Sequence, residues 1–182
     1  MEDYKYFGLR RSDNYLKYIT IDELNHFEYH DAEIKKIDFS NGNMIWHLSA
    51  VNATKENSQN SFDKDMCIKD AEIVFEHFNI VKIVFNAYKV YDSNNVLIES
   101  VEAKIANPDE YNAILNNTLL SYCYISSMEE LPMNEDKEYQ ICFDIDGGSG
   151  GYYLTLSYSK SIAQWDEYSG KAWYEDEKWK KK

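Results

Sequence analysis

Residues 138–175 read EYQICFDIDGGSGGYYLTLSYSKSIAQWDEYSGKAWYE. Tyr139, Ile141, Phe143 and Ile145 alternate with Gln140, Cys142 and Asp144, the period of a strand with one buried face. GGSGG at 147–151 then reverses the chain into a second alternating set, Tyr152, Leu154, Leu156 and Tyr158. Two such runs around a flexible five-residue turn predict a β-hairpin with a long loop. Beyond it lies WDEYSGKAWYE, the densest aromatic and acidic stretch of the chain.

The same alternation recurs upstream. DAEIKKIDFS (31–40) and MIWHLSAVNA (44–53) flank Asn41-Gly42-Asn43, and Asn-Gly is the strongest short-range hairpin signal. Ala32 and Ile34 share one parity, Ile37 and Phe39 the other, so a bulge is expected between Lys35 and Lys36. On the return strand Met44, Trp46 and Leu48 share a face, with His47 opposite beside Ile45, Ser49 and Val51. Residues 54–65 read as a mobile polar loop. Two strands follow with a bend near His77 to Asn79, the second presenting Val81, Ile83 and Phe85. After a turn at 92–95, residues 96–105 form a third strand or a helix.

Helix signals are fewer. Asn107-Pro108-Asp109-Glu110 supplies a cap, a proline in the first turn and acids for the positive helix end, predicting a helix to about Asn117 that buries Tyr111, Ile114 and Leu115. Thr20 to Phe27 carries a weaker signal, with Thr20 as the cap. Residues 119–127 return to strand, and 127–137 read as an acidic loop. The residues before Thr20 suit an edge strand or a docked arm equally. Strands outnumber helices and are joined by short turns. The expected class is mainly β (α+β): an antiparallel sheet, rolled or sandwiched, with one or two short helices. At 182 residues this is one domain, 1–182, with a possible N-terminal arm and short helix over 1–26 and a frayed tail at 176–182.

Charge narrows the partners. Nineteen Lys and Arg stand against 32 Asp and Glu, a net charge of −13, which repels nucleic-acid backbones and anionic membranes and suits a basic protein. The three cysteines form no CxxC, and an odd count fits a reducing cytoplasm better than a disulfide framework. No leader-like segment and no membrane-spanning apolar run is legible.

Catalytic signatures do not emerge. GGSGG lacks the Lys and Ser or Thr of a phosphate loop and opens a strand, so a hairpin tip is the reading. His26 and His30 are four apart without the HExxH form, and neither a metal nor another cofactor is expected. Two patterns stand out: Tyr29-His30-Asp31-Ala32 with Ile34 at a strand start, and Trp165-Asp166-Glu167-Tyr168 followed by Trp173-Tyr174. For the first, Asp31 can bond nearby backbone amides and His30 can orient it; otherwise the pair is a ligand site. For the second, the aromatics either close the core or anchor a partner within a ring of carboxylates.

At these two patterns, over about residues 27–50 and 138–175, the chain resembles small uncharacterised bacterial β-rich proteins, some of them grouped with immunity proteins of polymorphic toxin systems. The resemblance implies a cytosolic, non-enzymatic protein that neutralises a cognate toxin, and it carries over no catalytic residue. Two functions are therefore expected in competition. One is a protein-binding module that uses Trp165, Asp166, Glu167, Tyr168, Trp173 and Tyr174 against a basic toxin. The other is a small-ligand or metal-binding domain using His30, Asp31 and the GGSGG loop. Exposed tryptophans would equally fit a homodimer.

Overall fold

The computed structural model describes residues 16–118, 122–147, 150–172 and 175. The strands in chain order are β1 (Tyr18–Ile21), β2 (Phe27–Glu28), β3 (Ala32–Ser40), β4 (Asn43–Ala53), β5 (Met66–Glu76), β6 (Asn79–Phe85), β7 (Tyr88–Tyr91), β8 (Leu97–Val101), β9 (Lys104–Ile105), β10 (Cys123–Leu131), β11 (Tyr139–Gly147), β12 (Tyr152–Tyr158) and β13 (Lys160–Trp165). One α-helix, α1 (Tyr111–Thr118), precedes β10. The mainly antiparallel class expected from the alternation is the one observed.

Both expected hairpins form. Ser40 faces Asn43 across the Asn41-Gly42 turn, whose two residues take φ of 52° and 79°, the pair of positive values that the preferred two-residue turn demands. Register slips between Ile34 and Lys36, so Lys35 is the bulged residue. Tyr139 pairs with Tyr158 and Ile145 with Tyr152 across the glycine loop.

The main sheet runs β1-β13-β5-β4-β3-β10-β11-β12-β6-β9, with β2 added to β4. It rolls over on itself for two local reasons. The chain bends sharply between β5 and β6 at His77 (φ 51°) and between β12 and β13 at Ser159, whose N–H donates to Glu76 O at 3.0 Å. Because β5 pairs β13 and β6 pairs β12, the two bends lie side by side and carry a double strand around one corner. At the opposite seam β3 meets β10 through only two residue pairs, Glu33–Tyr124 and Ala32–Ile125. The halves face each other across a core in which the Trp46 and Phe143 rings lie 4.6 Å apart and Phe75 and Tyr158 5.3 Å apart. Leu115 of α1 adds to this core, and Ile114 packs beside it. The helix begins as expected: Glu110 accepts from the Asn107 N–H at 3.1 Å, after a short 3₁₀ turn at Pro108–Glu110.

Several expectations are corrected. Thr20 does not cap a helix: it lies buried in β1, opposite Ala163, and only a 3₁₀ turn, Leu24–His26, follows. Pairing to β13 overrides a local cap that had no amphipathic helix to start. Val51 is buried in the core rather than outward with His47, because Ala50 takes a left-handed φ of 62° and reverses the parity of β4. Val81 is exposed, since Thr155 pairs with Lys82 and Leu156 with Ile80, which leaves Val81 as a bulged extra residue of β6. Residues 96–105 divide into β8 and β9. The region 127–137 is strand as far as Leu131. The loop 54–65 is tied down rather than loose: the buried Asn60 amide donates to the carbonyls of Ala53, Thr54 and Lys64 at 3.0–3.2 Å. Strand β13 carries no strong alternation that would announce it in the sequence.

Candidate protein-binding surface

The aromatic patch after β13 divides on folding. Trp165 is fully buried: it stacks on Tyr18 with centroids 5.4 Å apart and meets Phe27 edge-on at 5.6 Å. It is a core residue, inaccessible to a partner. Tyr168 is half-buried against Trp165, and its hydroxyl donates to Gln59 O at 3.1 Å, while burial pushes its pKa up to about 12. Asp166 and Glu167 are exposed, and Asp166 accepts from the Lys17 N–H at 3.1 Å. Trp173 and Tyr174 lie outside the described residues.

His30 and Asp31 occupy the turn that starts β3. Asp31 takes φ of 66°, Ala32 N–H closes onto Tyr29 O at 2.7 Å, and Asp31 N–H donates to Ile125 O. The His30 ring donates from Nδ1 to Ser126 O at 3.1 Å, at the bulge where β10 slips against β11. Both side chains are about four-fifths exposed, and His30 Nε2 stands 3.7 Å from Asp31 Oδ2. The pair thus fastens the β3–β10 seam. The Gly147 end of the glycine loop is equally constrained: a Cβ there would lie 2.2 Å from the Tyr122 carbonyl oxygen.

What the fold does assemble is a different acidic and aromatic face. Residues paired across antiparallel strands point to the same side of a sheet. On the outside of the β3-β10-β11-β12-β6-β9 half, one row runs Glu33–Tyr124–Asp146. The next row runs Ser127–Asp144–Tyr153–Val84–Ile105. Tyr122 precedes β10 and is 76% exposed; Tyr124, Tyr153 and Ile105 are also exposed. Glu33 is neutralised by Lys35. Asp144 and Asp146 form no ion pair among the described residues, and Glu129 extends the acidic side of this face, with Lys82 at its far edge. Three tyrosines, two unpaired carboxylates and an apolar margin make an arrangement that can take a basic, partly apolar surface: tyrosine supplies contact area at small entropic cost, and carboxylates select cations. Tyr153 and Tyr124 were legible as polar-parity residues of their strands. Nothing in the sequence said that β10 would lie on the other side of β11 and so bring the two tyrosines onto one face.

On the outer face of the other half, His47 bonds Glu72 Oε1 through Nδ1 at 3.2 Å and Asp38 Oδ2 through Nε2 at 3.0 Å. The Glu72 bond chiefly raises its pKa, with Asp38 assisting, while Lys36 and His47 hold Asp38 below the usual carboxylate value. The two ring nitrogens serve different carboxylates, so this is an ion-pair chain rather than a chelate. Among the described residues no cluster of three or more His, Cys, Asp or Glu is placed to hold a metal ion, and no helix is long and apolar enough to cross a membrane. Comparison with protein-family models, curated proteins and solved structures finds no match.

Proposed function

We propose that this chain is a non-enzymatic protein-binding module whose partner is a basic protein held on the Tyr124–Tyr153 face. One observation carries the reading: Asp144 and Asp146, which form no ion pair among the described residues, stand beside the exposed Tyr124 and Tyr153 on one face of the sheet. A net charge of −13 adds a long-range field that speeds encounter with a cationic surface. The resemblance to immunity proteins gives the partner its most concrete form, a cognate basic toxin such as a nuclease, met in the cytoplasm and occluded by binding alone. The face differs from the one the sequence suggested, since Trp165 is taken up by the core. Asp166 and Glu167 then act at a distance, through the field.

Tagged protein retrieves such a partner from a lysate of its own cells at low salt. The account expects one stoichiometric basic protein, released as salt rises, and lost from a Tyr124→Ala/Tyr153→Ala variant that melts like the parent. Equal retention by that variant would refute the assignment of the face.

A further inference from the structure

Where β6 and β9 leave the main sheet, their hairpin does not end. Val84 pairs with Ile105 and Phe85 with Lys104. After an interruption at 86–87 and 102–103, Tyr88 pairs with Val101, Lys89 with Ser100 and Val90 with Glu99. The offset between partners is the same on both sides of the interruption, so β7–β8 is the distal part of one long hairpin. Its last tie to the sheet is the Asn86 N–H, which donates to Gly151 O at 3.0 Å just before β12 begins. Beyond that point the ribbon runs on alone, roughly 20 Å past the sheet at about 3.3 Å per residue. A two-stranded ribbon is marginal in water, yet the tip of this one is built: Asp92 Oδ1 accepts from the N–H groups of Asn94 and Val96, both at 2.8 Å.

Alternation carries a face across the interruption. Both strands skip the same number of residues, and none of Asn86, Ala87, Glu102 and Ala103 takes a positive φ. Tyr88, Val90, Glu99 and Val101 therefore stand on the same side as Val84, Ile105, Tyr153 and Asp144. Lys89, Ser100, Glu102 and Lys104 stand on the other. Ile105, Tyr88, Val90 and Glu99 are all exposed. Register sorts charge as well: along the paired ribbon the first side has one acid and no base, and the second has two bases and one acid.

We propose that the first side of the ribbon is the second half of the partner surface, so that the basic protein held at Asp144 and Asp146 also lies along Tyr88, Val90 and Glu99. This inference rests on the proposed partner face. Continuity and charge select the occupant. The side prolongs the Tyr153–Val84–Ile105 row past the end of the sheet, and its one charged group is an acid turned the same way as Asp144, with Lys89 and Lys104 turned away. Tyr88, Val90 and Ile105 add the apolar contact that a charged rim alone does not supply.

The probe is the basic protein that the full chain retains from a lysate of its own cells at about 50 mM salt. Hydroxyl-radical oxidation of the parent, with and without that protein, reads each tyrosine without altering the ribbon. Tyr88 should lose reactivity together with Tyr124 and Tyr153, while the exposed Tyr91, on the ribbon's other side, stays reactive. Affinity is the second readout. Tyr88→Ala/Glu99→Lys should bind at least about 30-fold more weakly, and Lys89→Ala/Ser100→Ala, on the other side of the same ribbon, should stay within about threefold of the parent. Protection of Tyr124 and Tyr153 without Tyr88, with full affinity in Tyr88→Ala/Glu99→Lys, overturns the inference and leaves the sheet face standing. Equal losses from the two sides overturn it too, since the ribbon's fold rather than its face would then matter. So does Tyr88 protection that needs no added protein and grows with the chain's own concentration, which would assign the ribbon to a second copy. Retention of no basic protein at low salt overturns this inference and the proposed partner face together.

Discussion

His47 Nδ1 lies 3.2 Å from Glu72 Oε1, and the two residues are directly paired across β4 and β5. The imidazole is held between two carboxylates, so the fold binds its protonated form more tightly than the unfolded chain does. A folded pKa raised above the unfolded value means that this contribution is complete below about pH 6.5 and disappears as pH rises through the folded value. Replacing His47 by Asn should cost about 0.5–1 kcal/mol at about pH 6 and almost nothing at about pH 9. Asp38 has the opposite sign, its contribution being lost only as pH falls below the ordinary carboxylate range, so it does not confuse the comparison. Urea unfolding of the two proteins at both pH values is the check.

Gly147 has no room for a side chain. Its φ is 130° and a Cβ would fall 2.2 Å from the Tyr122 carbonyl oxygen, against backbone that cannot swing aside. Gly147→Ala should therefore cost about 2–4 kcal/mol, whereas Gly42→Ala, with φ of 79° but open space around it, should cost about 1 kcal/mol from conformation alone. Denaturant midpoints of the two variants should fall in that order.

Trp165→Ala removes a ring that packs against Tyr18, Phe27 and Tyr168, and should destabilise the chain by about 3–5 kcal/mol. Trp165→Phe should recover most of that loss and leave partner capture unchanged. Loss of capture by a stably folded Trp165→Phe would return this residue to the binding surface.

Asn60→Ala should lower stability by about 1–3 kcal/mol, because three carbonyls share its buried amide and the loop 54–65 has no other side chain in that position. Melting temperature reports the cost, and proteolysis should move to this loop.

Strands and turns were legible because their signals are local. Asn41-Gly42 set one register, the phase slip at Lys35 showed its bulge, and Tyr139 to Tyr158 showed the second hairpin. What defeated the reading was long-range. Val51 faces inward because one residue, Ala50, adopts a left-handed backbone that its side chain does not advertise. Thr20 looks like a cap until β13 arrives from 140 residues later to pair with it. The Trp165 patch is continuous in sequence but splits in space between the core and the surface. The Tyr124–Asp146–Tyr153 face shows the reverse, since its members come from three strands and acquire meaning only when β10, β11 and β12 lie side by side.

On the proposed face, Asp144 and Asp146 hold the basic partner beside Tyr124 and Tyr153. The most direct measurement is the equilibrium affinity of the recovered partner for the parent and for Asp144→Lys/Asp146→Lys at about 50 and 300 mM salt. The account predicts a loss of at least about 100-fold in the double variant at low salt, with the two proteins converging as salt rises, and a much smaller loss for Asp166→Lys/Glu167→Lys. Affinity that is unchanged by reversing both charges, in a variant that melts like the parent, would contradict it.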